Sequence, residues 1–142
     1  DNARHIQELF QNYGREGWKS KVISSTQIAS GFSGETGNFS LLVEIKEGWV
    51  IFVVSDFLDL TGAVQSLDEV YRLLLELNAI IYGVKLSLDS GGKVILVYNV
   101  EYDERVEFIQ FQTALDLLTF YSDDLYEGLK KKKLIKGSEA TQ

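Results

Sequence analysis

Residues 66–100 read SLDEVYRLLLELNAIIYGVKLSLDSGGKVILVYNV, and this stretch decides the fold. Ser66 with Glu69 three residues later is a capping box, which satisfies N–H donors that a helix start leaves free. Val70, Leu73, Leu74 and Leu77 recur at the 3–4 spacing of one buried helical stripe. Gly83 marks an exit. The period then falls to two. Val84, Leu86 and Leu88 alternate with Lys85, Ser87 and Asp89, the pattern of a strand with one dry and one wet face. Gly91-Gly92 turns the chain. Residues 93–100 return with Ile95 and Val97 on one side and Val94, Leu96, Tyr98 and Val100 on the other. The stretch reads as a helix followed by a β-hairpin.

The same logic extends upstream. Ile6, Leu9, Phe10 and Tyr13 form one apolar helical stripe, closed by Gly14 and Gly17. Residues 21–28 alternate without a strongly apolar side, which predicts an edge strand. Residues 30–38 (SGFSGETGN) predict a loop. Leu41, Val43 and Ile45 alternate with Leu42, Glu44 and Lys46, Glu47-Gly48 turns, and residues 49–55 (WVIFVVS) return as a strand. That strand is apolar on both faces, with Trp49, Ile51 and Val53 opposite Val50, Phe52 and Val54. A strand apolar on both faces is covered on both.

Downstream, Phe108, Phe111, Leu115, Leu118, Leu125 and Leu129 keep a 3–4 spacing, with Ser122 the polar position of the seam. Asp103, Glu104 and Glu107 stand at its start and lysines at its end, both favourable to the helix dipole. Ile109, Leu117, Phe120 and Tyr121 widen the stripe beyond one face. The expected order is α-β-β-β-α-β-β-α, an α+β fold with an antiparallel sheet and helices packed on one face. One domain is expected over residues 1–137, with a disordered tail at 138–142.

Net charge is −7, unevenly placed. Residues 130–142 hold five lysines and one glutamate, so the first 129 residues carry −11. An acidic body repels nucleic acid and anionic lipid, and neither is expected as a partner. The lysine run reads as a solvated helix end. No apolar run reaches the roughly 18–20 residues that span a bilayer. Residues 1–12 are polar and amphipathic, unlike a secretory leader, and cysteine is absent, so the expected location is cytoplasmic.

Nothing in the pattern calls for catalysis. His5 is the single histidine and sits early in an amphipathic helix, where a structural role is the better reading. One histidine and no cysteine leave out the usual transition-metal sites. The acidic pairs Asp56 with Asp59 and Asp123 with Asp124 do not have the spacing of a calcium loop. The glycine-rich residues 31–37 lack the Lys-Ser/Thr and following helix of a phosphate cradle. They read as a hairpin connection, or as a mobile lid beside a binding surface. A serine triad would have to use His5. No catalytic residue, metal or cofactor is therefore expected. Taken singly, Trp49, Phe52, Tyr98 and Tyr102 read as ordinary core; as a group, Phe52, Val54, Leu96 and Tyr98 read instead as a second apolar face and, with Phe120 and Tyr121 of the last helix, as the candidate dimer or partner surface.

Residues 74–78 (LLELN), 83–89 (GVKLSLD), the glycine turn and residues 94–97 carry a family resemblance. The apolar strand at residues 50–55 and the closing helix with Leu115, Leu118 and Tyr121 extend it. The chain resembles the type III secretion chaperone-like fold, and more closely the YbjN-like bacterial sensory-transduction regulators and their cyanobacterial relatives of unknown function. The likeness covers residues 5–130 in element order and is motif-like over residues 74–97. Prolines common in that family after its third and fifth strands do not occur here. The resemblance implies a non-enzymatic, dimeric scaffold that binds proteins or peptides, with no catalytic residues to carry over. A small-molecule or signal-sensing domain, with a pocket between the sheet and the last helix, is the rival expectation.

Overall fold

The computed structural model describes residues 2–13, 19–60 and 66–131. Its elements run α1 (Asn2–Tyr13), β1 (Lys19–Ser24), β2 (Gln27–Ser33), β3 (Asn38–Lys46), β4 (Trp49–Leu58), α2 (Leu67–Asn78), β5 (Lys85–Leu88), β6 (Val94–Glu101) and α3 (Phe108–Lys131). The six strands form one antiparallel sheet in the order β1-β2-β3-β4-β6-β5. Inward side chains of the sheet join the buried stripes of α1, α2 and α3 in a single core. The architecture is the α+β class expected, with the helices on one sheet face.

One strand more is present than the residue pattern implied. The expected edge strand at residues 21–28 is the junction of two strands, and the expected loop at residues 30–38 begins inside β2. The β1–β2 turn at Ser25 and Thr26 carries no Gly, Pro, Asn or Asp. Its turn chemistry is supplied by the Ser24 hydroxyl, which accepts from the Thr26 N–H at 3.2 Å. A register shift between Val22 and Ser24 breaks the alternation there as well.

The parity of the central strands also differs from expectation. Phe52, Val54 and Leu96 have no exposure, and they point into the helix-covered core. Tyr98 shares that face, half-buried. The outward face is formed by the alternate residues. Leu42, Val53 and Val97 lie directly opposite one another across β3, β4 and β6, and Ile51 and Ile95 flank them. Phe52 meets Phe111 of α3 with ring centroids 5.8 Å apart. Burying a side chain of this size contributes about 1.5–3 kcal/mol.

α3 closes the sandwich. Gln110 Oε1 accepts from the Glu107 N–H at 3.0 Å, and its Nε2 donates to the Glu101 carbonyl at 3.0 Å, so one side chain caps the helix and ties it to β6. Phe111, Leu115, Leu118, Leu125 and Leu129 are buried as the spacing implies. Phe108 lies outside the stripe, partly exposed. His5 bonds the Val106 carbonyl at 2.8 Å and so fastens α1 to the approach of α3. The Tyr13 hydroxyl donates to Asp116, a second tie between the same helices. Gly14, Gly17 and residues 132–142, with the expected tail, lie outside the described residues.

Candidate partner-binding surface

The three most exposed apolar side chains among the described residues, Tyr82, Leu75 and Ile80, lie at the α2–β5 end of the sheet. Construction begins at Ser66, whose hydroxyl accepts from the Glu69 N–H at 3.3 Å. Asp68 and Glu69 in the first turn favour the positive end of the helix dipole. Val70 and Leu74 anchor the helix to the core. Its last turn has no basic residue of its own. Lys85 of β5 supplies one, donating to the carbonyls of Asn78 at 2.9 Å and Ile81 at 3.0 Å.

Asn78 then closes the sheet edge. Its Nδ2 donates to the Leu86 carbonyl at 3.0 Å, and its Oδ1 accepts from the Leu86 N–H at 2.8 Å. One amide side chain thus takes both backbone groups of a β5 residue, as a neighbouring strand would. An edge blocked in this way is protected from pairing with another chain.

The exit of α2 is held just as firmly. Gly83 has φ +76, and a Cβ there would sit 2.7 Å from the Tyr98 ring. Glycine meets both demands, the left-handed backbone and the close approach. The Tyr121 hydroxyl accepts from the Tyr82 N–H at 3.1 Å. Tyr98 and Tyr121 therefore support this loop from below.

What the construction leaves outside is apolar. Leu75 is 70% exposed, Ile80 67%, Tyr82 78% and Phe120 59%. Leu67 and Leu88 are exposed to lesser degrees. A groove of about 380 Å³ runs between α2 and β5, lined by Tyr71, Leu74, Leu75 and Leu88 among others. Scattered single apolar residues are ordinary on a surface, whereas a grouping on one rigid corner marks an interaction site.

Of the residues expected at a partner surface, Phe120 is exposed beside this corner and Tyr121 is half-buried beneath it. Phe52, Val54 and Leu96 belong to the core instead. Leu75, Ile80, Tyr82 and Leu88 were not singled out by sequence. The one signal was the run Leu73-Leu74-Leu75, since three consecutive leucines cannot all lie on one buried stripe.

Other features take structural places. Asp123 of α3 grips the β2–β3 turn, accepting from the N–H groups of Glu35 and Thr36 and from the Thr36 hydroxyl at 3.1, 3.0 and 2.8 Å. Burial alone would raise its pKa, but these bonds to Thr36 and Glu35 outweigh that and hold it below the ordinary value of 3.8. A Cβ at Gly34 would meet the Asp123 carboxylate, so a larger residue there would have to displace the side chain that holds the turn. The glycine-rich segment read as a hairpin connection or lid is a turn fastened to α3. Between the sheet and α3, Phe52, Phe111, Leu115 and Leu118 fill the space. A shallow groove of about 330 Å³ remains beside β6, lined by Tyr98, Val100, Ile109 and Thr113 among others. No cluster of three metal-ligating side chains occurs among the described residues, and no described helix is long and apolar enough to cross a membrane.

A helix-backed antiparallel sheet of this kind is a secretion chaperone-like α+β fold. A chain of the heterodimeric ExoU–SpcU complex from the type III secretion system of Pseudomonas aeruginosa superposes with a TM-score of 0.54 at 19% identity. The match covers 86% of this chain and 95% of that one. No protein-family model and no curated protein matches the sequence.

Proposed function

We propose that the chain is a non-enzymatic protein-binding module of the chaperone-like or regulatory kind, working as a homodimer in the cytoplasm. The observation that carries this is the rigid apolar corner of Leu75, Ile80, Tyr82 and Phe120. Its backbone edge is closed by Asn78, so association there proceeds by side-chain burial. Exposed large side chains beside a groove are the usual anchors of an interface. The neighbouring complex supports the reading, because a chain of this fold is found there in a heterodimer.

The closer affinity to YbjN-like regulators rests on residues 74–78 and 83–89 and agrees with the proposed role. At the opposite end, β1 is exposed along nearly its whole length. That strand is the edge to which an extended partner segment would add through backbone hydrogen bonds. The test is size-exclusion chromatography with light scattering at high micromolar concentration. A dimer is expected, and a strict monomer contradicts the homodimer.

A further inference from the structure

A second, chemically different site lies at one end of the sandwich. Here β3 begins and β4 ends in a bulge, with a register shift between Val54 and Leu58. A cavity of about 490 Å³ is lined by Asn38, Ser40, Ser55, Asp56, Phe57 and Tyr126 among others. Its apolar wall is an aromatic triad. Phe39, Phe57 and Tyr126 have ring centroids 5.9, 5.9 and 6.0 Å apart, with Tyr126 edge-on to both phenylalanines. Asp56, at the rim, adopts φ +53, the one non-glycine residue with positive φ among those described. Strain of that kind persists where the surroundings impose it and is a pointer to function.

The charge at this end is acidic. Asp56 lies within the bulge and Asp59 follows it, Glu35 lies in the neighbouring turn, and Asp123 fastens that turn. Lys93 faces Asp56, with Nζ 3.1 Å from Asp56 Oδ1. The side-chain hydrogen bond and charge of Asp56 favour its charged form, and Asp59 and Asp89 add to this. The chain thus supplies its own example of an ammonium seated at this carboxylate. Farther along α3, Lys131 is paired with Glu127 at 3.0 Å.

The cavity also adjoins the uncovered sheet face. Ser40 and Ser55 are opposite one another, and two residues along the same face lies the pair Leu42 and Val53, followed across β6 by Val97. Two strand residues span about 7 Å. Building on the protein-binding reading, we propose that this end receives a basic, extended segment of a partner protein. An arginine or lysine side chain enters the cavity between Asp56 and the aromatic wall, and an apolar residue two positions away lies on Leu42, Val53 and Val97. A cation over an aromatic face, beside a carboxylate, is attracted by both.

The test is a titration of the isotopically labelled protein with the peptide acetyl-Val-Ser-Val-Ser-Arg-Ser-amide, followed by NMR. Controls replace the arginine with norleucine or glutamate. The arginine peptide is expected to shift the amides of residues 36–40 and 55–57, and added salt is expected to weaken it. Asp56→Asn, which keeps a residue tolerant of positive φ, is expected to weaken binding at least about threefold. Lys93→Ala, which removes the competing cation, is expected to strengthen it by a similar factor. Equal binding by the norleucine peptide, shifts confined to other strands, or no shift up to roughly 5 mM peptide would overturn the proposal. Dimer formation is read separately by light scattering, so either claim can fail without the other.

Discussion

The two ends of the sheet solve the edge problem in opposite ways. At β5 the backbone is closed, because Asn78 takes both polar groups of Leu86, while large apolar side chains stand outside. At β1 the strand is exposed and rich in Lys and Ser, and among the described residues no side chain takes both backbone groups of one of its residues. The first end offers side-chain area without a ladder, and the second offers a ladder with little area. An edge without backbone partners associates through packing, whereas an open edge associates by strand addition. One small sheet thereby keeps two kinds of contact apart.

Breaking the apolar corner is expected to have the largest effect. Leu75→Glu combined with Tyr82→Ser should weaken self-association at least about 100-fold in sedimentation equilibrium, with an unchanged far-ultraviolet circular dichroism spectrum. Both side chains are exposed, so the fold does not depend on them. Retained association at wild-type strength would place the contact elsewhere.

Next comes the support of that corner. Gly83→Ala forces a positive φ on a residue with a Cβ and drives it against Tyr98. A loss of about 2–3 kcal/mol is expected in urea denaturation. Asn78→Ala makes the β5 end resemble the β1 end. It should cost about 1–2 kcal/mol and speed hydrogen exchange at the Leu86 amide. An Asn78→Ala protein with wild-type exchange at Leu86 would show that the amide does not close the edge.

Smaller effects follow at α3. The Asp123 carboxyl is depressed in the folded state, so its contribution to stability is full above the unfolded value near 3.8. That contribution is lost as the pH falls through the lower folded value. Because the carboxylate is largely solvated, the increment is below about 1 kcal/mol. Asp123→Asn should be less stable than wild type at about pH 5, and the two stabilities should converge as the pH falls below the depressed folded value. Ser122 is fully buried, and its hydroxyl has no hydrogen-bond partner among the described residues. Ser122→Ala is expected to leave stability unchanged or raise it by up to about 1 kcal/mol, read from the same melts.

Much of this was legible from residue pattern, and the failures have specific causes. The helices were readable because Ile6, Leu9 and Phe10, then Val70 and Leu74, then Phe111, Leu115 and Leu118 keep helical spacing against polar neighbours. The β3–β4 and β5–β6 hairpins were readable from Gly48 and Gly92, whose φ values of +81 and +82 only glycine adopts freely. The β1–β2 hairpin was not, since a serine hydroxyl replaced the glycine signal. Nor was the choice of face on β4 and β6. Period two has no contrast when both parities are apolar, and only the packing of the helices decides that Phe52 goes in and Val53 goes out. The apolar corner was hidden for a related reason. Leu75 and Ile80 look like core residues until Asn78 and Lys85 fix which way α2 and β5 turn.

Hydrogen exchange with mass spectrometry over a range of protein concentration compares the two ends in one experiment. On going from low to high micromolar protein, peptides covering residues 67–88 should gain protection. Peptides covering residues 19–33 should not. Protection that rises in residues 19–33 alone, or in neither segment, would contradict the assignment of the α2–β5 corner as the surface through which this protein associates.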